Sequence, residues 1–246
     1  MTSRNFCINV LFGVVSVVLS TVALPNNAQA QRAYAKQQLN STNAGGFFYS
    51  VNGQTDLSVP SIDPNRNIFI TKEMWLLDAS GNWVEMGTVK GYTSADGISS
   101  STSYWAGEYY ARQKVVNGVT TYLRRFTGTS GSTGSKSFQI NVGQASGSSF
   151  NWDFYLDGSY IGSFDSPKST FPYMQIGTET NNGCSNYVSG TYADSLYYYT
   201  PTNGWQQWGT NVIDGDNNLI SGWDSTYNAT NQRITFTSRP KPTDCP

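Results

Sequence analysis

The chain has 246 residues, a formal net charge of −1 and no histidine. That length suits one β domain, since sandwiches and barrels often run to about 200–250 residues. The balanced charge gives no footprint for nucleic-acid binding, and the lack of histidine excludes a Ser-His-Asp triad, a Cys-His pair and a histidine zinc site.

The N-terminus has the three parts of a secretory signal peptide. Arg4 is followed by an apolar run over residues 6–24 and then by Ala-Gln-Ala at 28–30, which is an A-x-A cleavage pattern. We therefore predict a signal peptide over residues 1–30 and a secreted protein, extracellular or periplasmic, that is not membrane-bound after cleavage. An uncleaved anchor is the alternative, because the apolar run approaches the roughly 20 residues that span a bilayer.

Residues 31–46 are predicted to be a lead segment before a single domain over residues 47–246. Residues 31–43 include Ala-Tyr-Ala-Lys-Gln-Gln-Leu and are the one stretch that suits a short helix or disorder. The rest of the chain is rich in Gly, Ser, Thr, Asn and Tyr and lacks a long apolar pattern of helical period. This composition favours strands.

The predicted domain alternates short apolar runs with turn residues. Asn117-Gly118 and Asp157-Gly158 each supply the two positive-φ residues of a type I′ hairpin turn. Short strands with turns about every ten residues indicate an all-β, antiparallel sandwich or barrel. The predicted strands cover residues 47–51, 67–78, 83–92, 104–116, 119–126, 138–142, 150–156, 160–164, 174–180, 194–200, 205–209 and 233–238.

Two of the three cysteines lie in the predicted mature chain. Cys7 lies inside the apolar run, so it leaves with the signal peptide. Cys184 and Cys245 remain, and an even number of cysteines in an exported chain predicts a disulfide. Such a bridge would tie the C-terminal tail to the middle of the domain.

Without histidine, acid and base catalysis falls to carboxyl groups. The chain has four glutamates, Glu73, Glu85, Glu108 and Glu179. Glu85 and Glu179 each lie two residues from a glycine on a strand face that also carries aromatic side chains, which suits a cleft across a curved sheet. Two carboxyls in one cleft separate their pKa values, so that one stays protonated and the other ionises. Glu108 is the competing candidate, and solvent-exposed positions on outer faces are the alternative for both glutamates.

The segment over residues 83–113 has a Glu-x-Gly strand, then Tyr104-Trp105 and a tyrosine-rich strand, and it resembles the neprosin-type glutamic peptidases. The strand over residues 150–156 and the Gly-Thr-Glu that ends at Glu179 extend the similarity over roughly residues 75–210. The resemblance implies a concanavalin-like sandwich of the jelly-roll type. It also implies that Glu85 and Glu179 are the catalytic pair that activates a water and protonates the leaving amine.

Together these observations predict a glutamate-dyad peptidase that acts at acidic pH, since one carboxyl must stay protonated. Tyr104, Trp105 and Gln175 are the predicted lining of the substrate cleft. The alternative is a non-catalytic sandwich that binds carbohydrate or a cell surface, or a glycosidase on the same scaffold, with aromatic side chains that hold sugar rings. The substrate is then an extracellular peptide or glycan, and we expect a monomer with no cofactor and no metal site.

Overall fold

In a computed structural model of the protein, the described residues form seventeen β-strands joined by turns and loops. No helix in the described part of the chain is long and apolar enough to cross a membrane. The predicted signal peptide over residues 1–30 lies outside the described residues and stays a prediction. The described residues are 33–43, 45–50, 57–59, 68–94, 102–128, 134–146, 149–167, 171–182, 184, 186–188, 191–210, 212–214 and 223–238.

The strands agree closely with the predicted ones and add several that the sequence pattern did not indicate. In chain order they are β1 (Ala33–Asn43), β2 (Gly45–Ser50), β3 (Leu57–Ser58), β4 (Ile68–Leu77), β5 (Trp83–Thr93), β6 (Ser103–Val116), β7 (Val119–Phe126), β8 (Lys136–Ser146), β9 (Ser149–Leu156), β10 (Ser159–Pro167), β11 (Phe171–Thr180), β12 (Tyr187–Val188), β13 (Tyr192–Thr200), β14 (Gly204–Gln207), β15 (Val212–Asp214), β16 (Trp223–Asn228) and β17 (Arg233–Ser238). The additional strands are β1, β3, β12, β15 and β16.

Fifteen of these strands form two antiparallel sheets. Sheet A has the order β15-β1-β11-β4-β5-β6-β7, and sheet B has the order β10-β9-β8-β2-β13-β17-β16, with β14 paired to β13. Strands β3 and β12 pair separately. The prediction of an all-β antiparallel sandwich is confirmed, and its concanavalin-like, jelly-roll type stays a prediction.

The hydrophobic core lies between the two sheets. On sheet A it receives alternate side chains of the central strands, such as Met74 and Ile176, and on sheet B it receives Phe154 and Phe236; all four are fully buried. Burial of each such side chain stabilises the fold by roughly 1.5–3 kcal/mol. Because side chains alternate along a strand, the intervening residues of sheet A must face away from this core.

Strand β1 corrects the prediction of a short helix or disorder over residues 31–43. Residues 33–43 form a strand between β11 and β15, so they belong to sheet A. Ala33, Ala35 and Leu39 are buried, whereas Tyr34 is only half-buried, and this period of two is that of a strand. Pairing with β11 overrides the helix propensity of the Ala-, Lys- and Gln-rich sequence.

Turn residues set the registers of the hairpins. Asn117 and Gly118 both have positive φ values, 52° and 76°, which confirms the predicted turn between β6 and β7. Between β4 and β5, the Asp78 carboxylate accepts hydrogen bonds from the backbone N–H groups of Ser80 and Asn82, both at 2.8 Å. This side-chain turn closes the β4–β5 hairpin.

Glycines let neighbouring strands of sheet A approach each other closely. A Cβ atom at Gly87 of β5 would lie 2.2 Å from the carbonyl oxygen of Lys72 and 2.6 Å from the Cα of Glu73 on β4. A Cβ atom at Gly177 of β11 would lie 2.4 Å from the Cβ of Lys36 on β1. Only glycine fits at these two positions without a backbone shift.

Replacement of the first of these glycines is expected to destabilise the fold. In Gly87→Ala the new methyl group overlaps backbone atoms of β4, and overpacking of this kind costs about 1–3 kcal/mol. Urea unfolding should show that decrease in the free energy of unfolding. Thr120→Ala, on the exposed face of β7, is the control and should stay within about 0.5 kcal/mol of the parent protein; an equally small effect of Gly87→Ala would contradict the close approach.

Candidate active site

A groove crosses the face of sheet A that points away from the core. It has a volume of about 430 Å³ and is lined by alternate residues of β1, β4, β5, β6, β7 and β11. Its lining combines carboxyl groups, cationic side chains and aromatic rings. The lining residues are Tyr34, Lys36, Phe69, Thr71, Glu73, Trp75, Leu77, Trp83, Glu85, Tyr109, Gln113, Tyr122, Arg124, Gln175 and Glu179.

The structure brings the two predicted glutamates into this one groove. Glu85 on β5 and Glu179 on β11 lie on either side of β4, where Glu85 is opposite Trp75 and Glu179 is opposite Thr71. Both glutamates are buried, with 5% and 8% of their surface exposed. They are therefore not solvent-exposed residues of an outer face.

Glu85 is a carboxyl group that holds its proton to near neutral pH. Burial raises the pKa of Glu85 from 4.5 to about 7; the Arg124 guanidinium opposes this rise, and the charge of Glu179 adds to it. The Tyr122 hydroxyl donates a hydrogen bond of 3.3 Å to its Oε1 atom. Below neutral pH, Glu85 is consequently a proton donor in a water-poor site.

A third glutamate, which is not one of the two predicted catalytic residues, lies between them. Glu73 on the central strand β4 is 1% exposed and lines the same groove. Its register partners are Gly87 on β5 and Gly177 on β11, so neither residue directly opposite it carries a side chain. Burial, together with the charges of Glu85 and Glu179, raises the pKa of Glu73 well above its ordinary value.

Arg124 supplies a fixed positive charge on the β7 side of the groove. Its Nε atom donates a hydrogen bond of 2.8 Å to the Tyr122 hydroxyl, and its Nη1 atom donates one of 2.6 Å to Thr93 Oγ1. The guanidinium carbon lies 5.2 Å from the centre of the Tyr109 ring. Burial alone would lower the pKa of Arg124, but Tyr122 and the neighbouring glutamates raise it, so the group stays charged.

Of the three predicted lining residues, the groove contains one. Gln175 lines it, accepts a hydrogen bond from the Lys36 ammonium at 3.1 Å and donates one to Gln38 Oε1 at 2.6 Å. Tyr104 does not line the groove; it is 44% exposed and its ring contacts that of Tyr92, its register partner on β5. Tyr104 is an odd number of residues from Tyr109, so it faces the other side of the sheet.

Trp105 and the competing carboxylate Glu108 also lie outside the groove lining. Trp105 shares the face of Tyr109 but stacks on Phe126, with ring centres 4.1 Å apart. Glu108 is 1% exposed and precedes Tyr109 in the strand, so it points to the core side of sheet A. This position removes Glu108 from the set of groove carboxylates.

The predicted disulfide stays a prediction. Cys184 lies among the described residues, packed against the core. Cys245 lies in the tail beyond residue 238, outside the described residues. Cys184 is not among the residues that line the groove.

Comparisons with known proteins find solved structures of low sequence identity. No protein-family model and no curated protein matches the chain. Sheep galectin-11 in complex with glycerol is 8% identical, with 70% of this chain and 99% of that chain covered and a TM-score of 0.35. The κ-carrageenase from Pseudoalteromonas carrageenovora with an oligotetrasaccharide of κ-carrageenan is 11% identical, with 80% and 62% covered and a TM-score of 0.30. A 1,3-α-1,4-β-D-galactose-4-sulfate-3,6-anhydro-D-galactose 4 galactohydrolase is 9% identical, with 86% and 83% covered and a TM-score of 0.32.

The raised pKa of Glu85 makes the stability of the protein depend on pH. The folded state binds the Glu85 proton between pH 4.5 and about 7, whereas the unfolded state has already released it, so stability falls as pH rises through this window. The shift corresponds to roughly 3 kcal/mol. Urea unfolding should therefore show that Glu85→Gln, which cannot release a proton, loses about 3 kcal/mol less than the parent protein across the window.

Asp224→Asn serves as the matched control for that experiment. Asp224 is an exposed carboxylate on β16, far in the chain from the groove strands. This variant should keep the pH dependence of the parent protein. Parallel stability curves for Glu85→Gln and the parent protein would contradict a Glu85 proton held to near neutral pH.

Proposed function

We propose that the protein is a hydrolase that acts at acidic pH, with Glu85 and Glu179 as its acid–base pair. The observation that carries the proposal is that two buried glutamates, 94 residues apart in the chain, line one groove, where the charge of Glu179 raises the pKa of Glu85. Such coupling is how two chemically identical groups acquire opposite roles. The absence of histidine leaves carboxyl groups to carry out proton transfer at acidic pH.

The pKa of Glu85 assigns the roles within the pair. Below its value of about 7 Glu85 is protonated, so it is the general acid, and Glu179 is the general base. Glu179 takes a proton from a water molecule, whose oxygen attacks the carbonyl carbon of the substrate. Glu85 then gives its proton to the departing nitrogen as the C–N bond breaks, and proton exchange with water restores both groups.

A peptide bond is the substrate that the proposal favours. The Glu-x-Gly strand at Glu85 and the Gly-Thr-Glu segment at Glu179 support this choice, because they carry the resemblance to the neprosin-type glutamic peptidases. Arg124 lies beside the pair and can stabilise the negative charge that develops on the carbonyl oxygen during attack. The groove is open on the outer face of sheet A, so an extended chain could lie across its strands.

A glycosidase is the second candidate, and the aromatic lining of the groove favours it. Trp75 and Trp83 line the groove, and Trp83 packs against Tyr122 with ring centres 5.4 Å apart. Aromatic faces of this kind stack on sugar rings, and a pair of carboxyl groups is also the machinery of most glycoside hydrolases. A non-catalytic glycan-binding protein would use the same rings without the acid–base pair.

The proposal includes export of the protein. The basic residue, the apolar run and the Ala-Gln-Ala site of residues 1–30 support removal of this segment and release of the remaining chain, with Cys184 and Cys245 joined in an oxidising compartment. An acidic extracellular or periplasmic setting would then keep Glu85 in its protonated state. We place the substrate, a peptide or a glycan, in that same compartment.

Assays of the purified chain on unfolded casein and on common soluble glycans, across a pH range, test the proposal. Cleavage of casein at acidic pH, lost as pH rises through about 7 where Glu85 loses its proton, is the expected result. Glu85→Gln and Glu179→Gln should each lower kcat by about 10²–10⁴-fold, the usual contribution of a general acid or base. Asp224→Asn should leave kcat unchanged.

The same assays separate the three possibilities. Release of reducing sugar without casein cleavage would replace the peptidase with a glycosidase that uses the same pair. Glycan binding without turnover, unaffected by Glu85→Gln, would identify a binding protein. Full activity in either glutamine variant would overturn the acid–base pair.

A further inference from the structure

Glu73 occupies the centre of the groove, between the two members of the proposed pair. In the register of β11, β4 and β5, Glu179 is opposite Thr71 and Glu85 is opposite Trp75, so Glu73 lies one groove-facing position from each. Glu73 therefore lies diagonally between the two members of the pair, on the strand that separates theirs. A substrate that reaches both Glu179 and Glu85 crosses β4 beside Glu73.

One oxygen of Glu73 is buried without a hydrogen-bond partner. Thr71 Oγ1 donates a hydrogen bond of 2.5 Å to Glu73 Oε1. Glu73 Oε2 is also buried, but no group of the described residues bonds to it. An unpaired buried carboxyl oxygen costs free energy, commonly about 1–3 kcal/mol, and such groups are found where a ligand or water completes the bonding.

The surroundings of Glu73 favour its neutral form. Burial and the negative charges of Glu85 and Glu179 all raise its pKa, and these effects outweigh the hydrogen bond from Thr71 and the charge of Arg124. Where Oε1 accepts the hydrogen bond from Thr71, the proton of a neutral Glu73 is carried by Oε2, for which the described residues offer no partner. A neutral carboxyl at this place is a hydrogen-bond donor, whereas an ionised one could only accept.

We propose that Glu73 is a third catalytic carboxyl group, which stays protonated and donates a hydrogen bond from Oε2 to the carbonyl oxygen of the substrate. This inference rests on the proposed function and adds a residue to it. As water attacks, negative charge develops on the carbonyl oxygen, and the Oε2–H group stabilises it without giving up the proton. Glu85 and Glu179 remain the groups that transfer protons.

The two glycines beside Glu73 are consistent with this role. Gly87 and Gly177 are its register partners, and each leaves the groove face next to Glu73 without a side chain. A larger residue at either position would stand between Oε2 and a bound carbonyl group. The close approach of the strands at Gly87 also holds the Glu73 backbone in place.

Two substitutions at Glu73 separate donation of a hydrogen bond from mere occupancy of the site. Glu73→Met removes the donor and should lower kcat on casein by about 10²–10³-fold, the usual cost of one oxyanion donor, with little change in KM. Glu73→Gln keeps an N–H donor and should retain most of the activity. Equal activity of Glu73→Met and the parent protein would overturn the proposal.

The pH profile of Glu73→Gln tests whether the group is neutral. If Glu73 carries no charge when Glu85 titrates, its replacement by neutral glutamine leaves the alkaline limb of kcat/KM where it is in the parent protein. A limb displaced to lower pH in Glu73→Gln would mean that an ionised Glu73 had been raising the pKa of Glu85. That displacement would overturn the proposal.

Carboxyl carbon NMR of the full chain provides a measurement that does not depend on turnover. The chain has four glutamates, so ¹³C-glutamate labelling gives a small set of carboxyl resonances, and each Glu→Gln variant assigns one. The Glu73 resonance should keep the shift of a protonated acid to pH values well above 4.5, because burial and the neighbouring carboxylates raise its pKa. Titration of Glu73 near 4.5, the ordinary value for glutamate, would overturn the proposal.

The turnover assays and the carboxyl titration together distinguish failure of this inference from failure of the proposed function. Casein cleavage that needs Glu85 and Glu179 but is unaffected by Glu73→Met would keep the pair and remove the third carboxyl. Absence of turnover on every probe would overturn the proposed function and, with it, the hydrogen bond from Glu73 to the substrate carbonyl. The carboxyl titration would then decide the protonation of Glu73 on its own.

Discussion

The close approach of β4 and β5 at Gly87 is the constraint on which the groove depends. There the backbones come so near that a Cβ atom would meet the Lys72 carbonyl oxygen at 2.2 Å. The same position puts no side chain directly beside Glu73 on β5, and Gly177 puts none beside it on β11. Ordinary side chains at both positions would fill the sheet surface between Glu85 and Glu179.

The core-facing side of sheet A offsets the free-energy cost of burying carboxyl groups in the groove. Three carboxyl groups taken out of water cost stability, since burial opposes the charged form and charges of one sign repel. The fully buried side chains of the core face, such as Met74 and Ile176, supply the compensating burial of apolar surface. One strand thus presents Met74 to the core and Glu73 to the groove in consecutive positions.

Local sequence was sufficient to predict the sandwich but not the role of β1. Turn pairs such as Asn117-Gly118 mark hairpins by their own backbone preference, so those strands are visible without tertiary information. Residues 33–43 have helix-favouring composition and become a strand because β11 offers hydrogen bonds along one edge. Buried Gln37, whose amide donates to Ser225 Oγ at 2.9 Å, shows how far that outcome depends on a distant strand.

The candidate site could be predicted in part, and strand parity explains both the success and the errors. Glu85 and Glu179 both occupy positions whose side chains face away from the core. Pairing of their strands with β4 therefore places them on the same face of sheet A. The side chain of Tyr104 faces the other side of the sheet, and the ring of Trp105 stacks on Phe126. The position of Glu73 in the groove could have been predicted from the sequence, because the β4–β5 turn places it opposite Gly87, two residues from Glu85.

Burial of these carboxyl groups links the proposed chemistry to the stability of the fold. The desolvation that raises the pKa of Glu85 to about 7 gives it a proton to donate, and the same effect makes the folded state less favourable once that proton is lost. A groove built in this way is most stable where its acid is protonated. Acidic conditions therefore suit the catalyst and the fold for one physical reason, and neither property can be adjusted at Glu85 without the other.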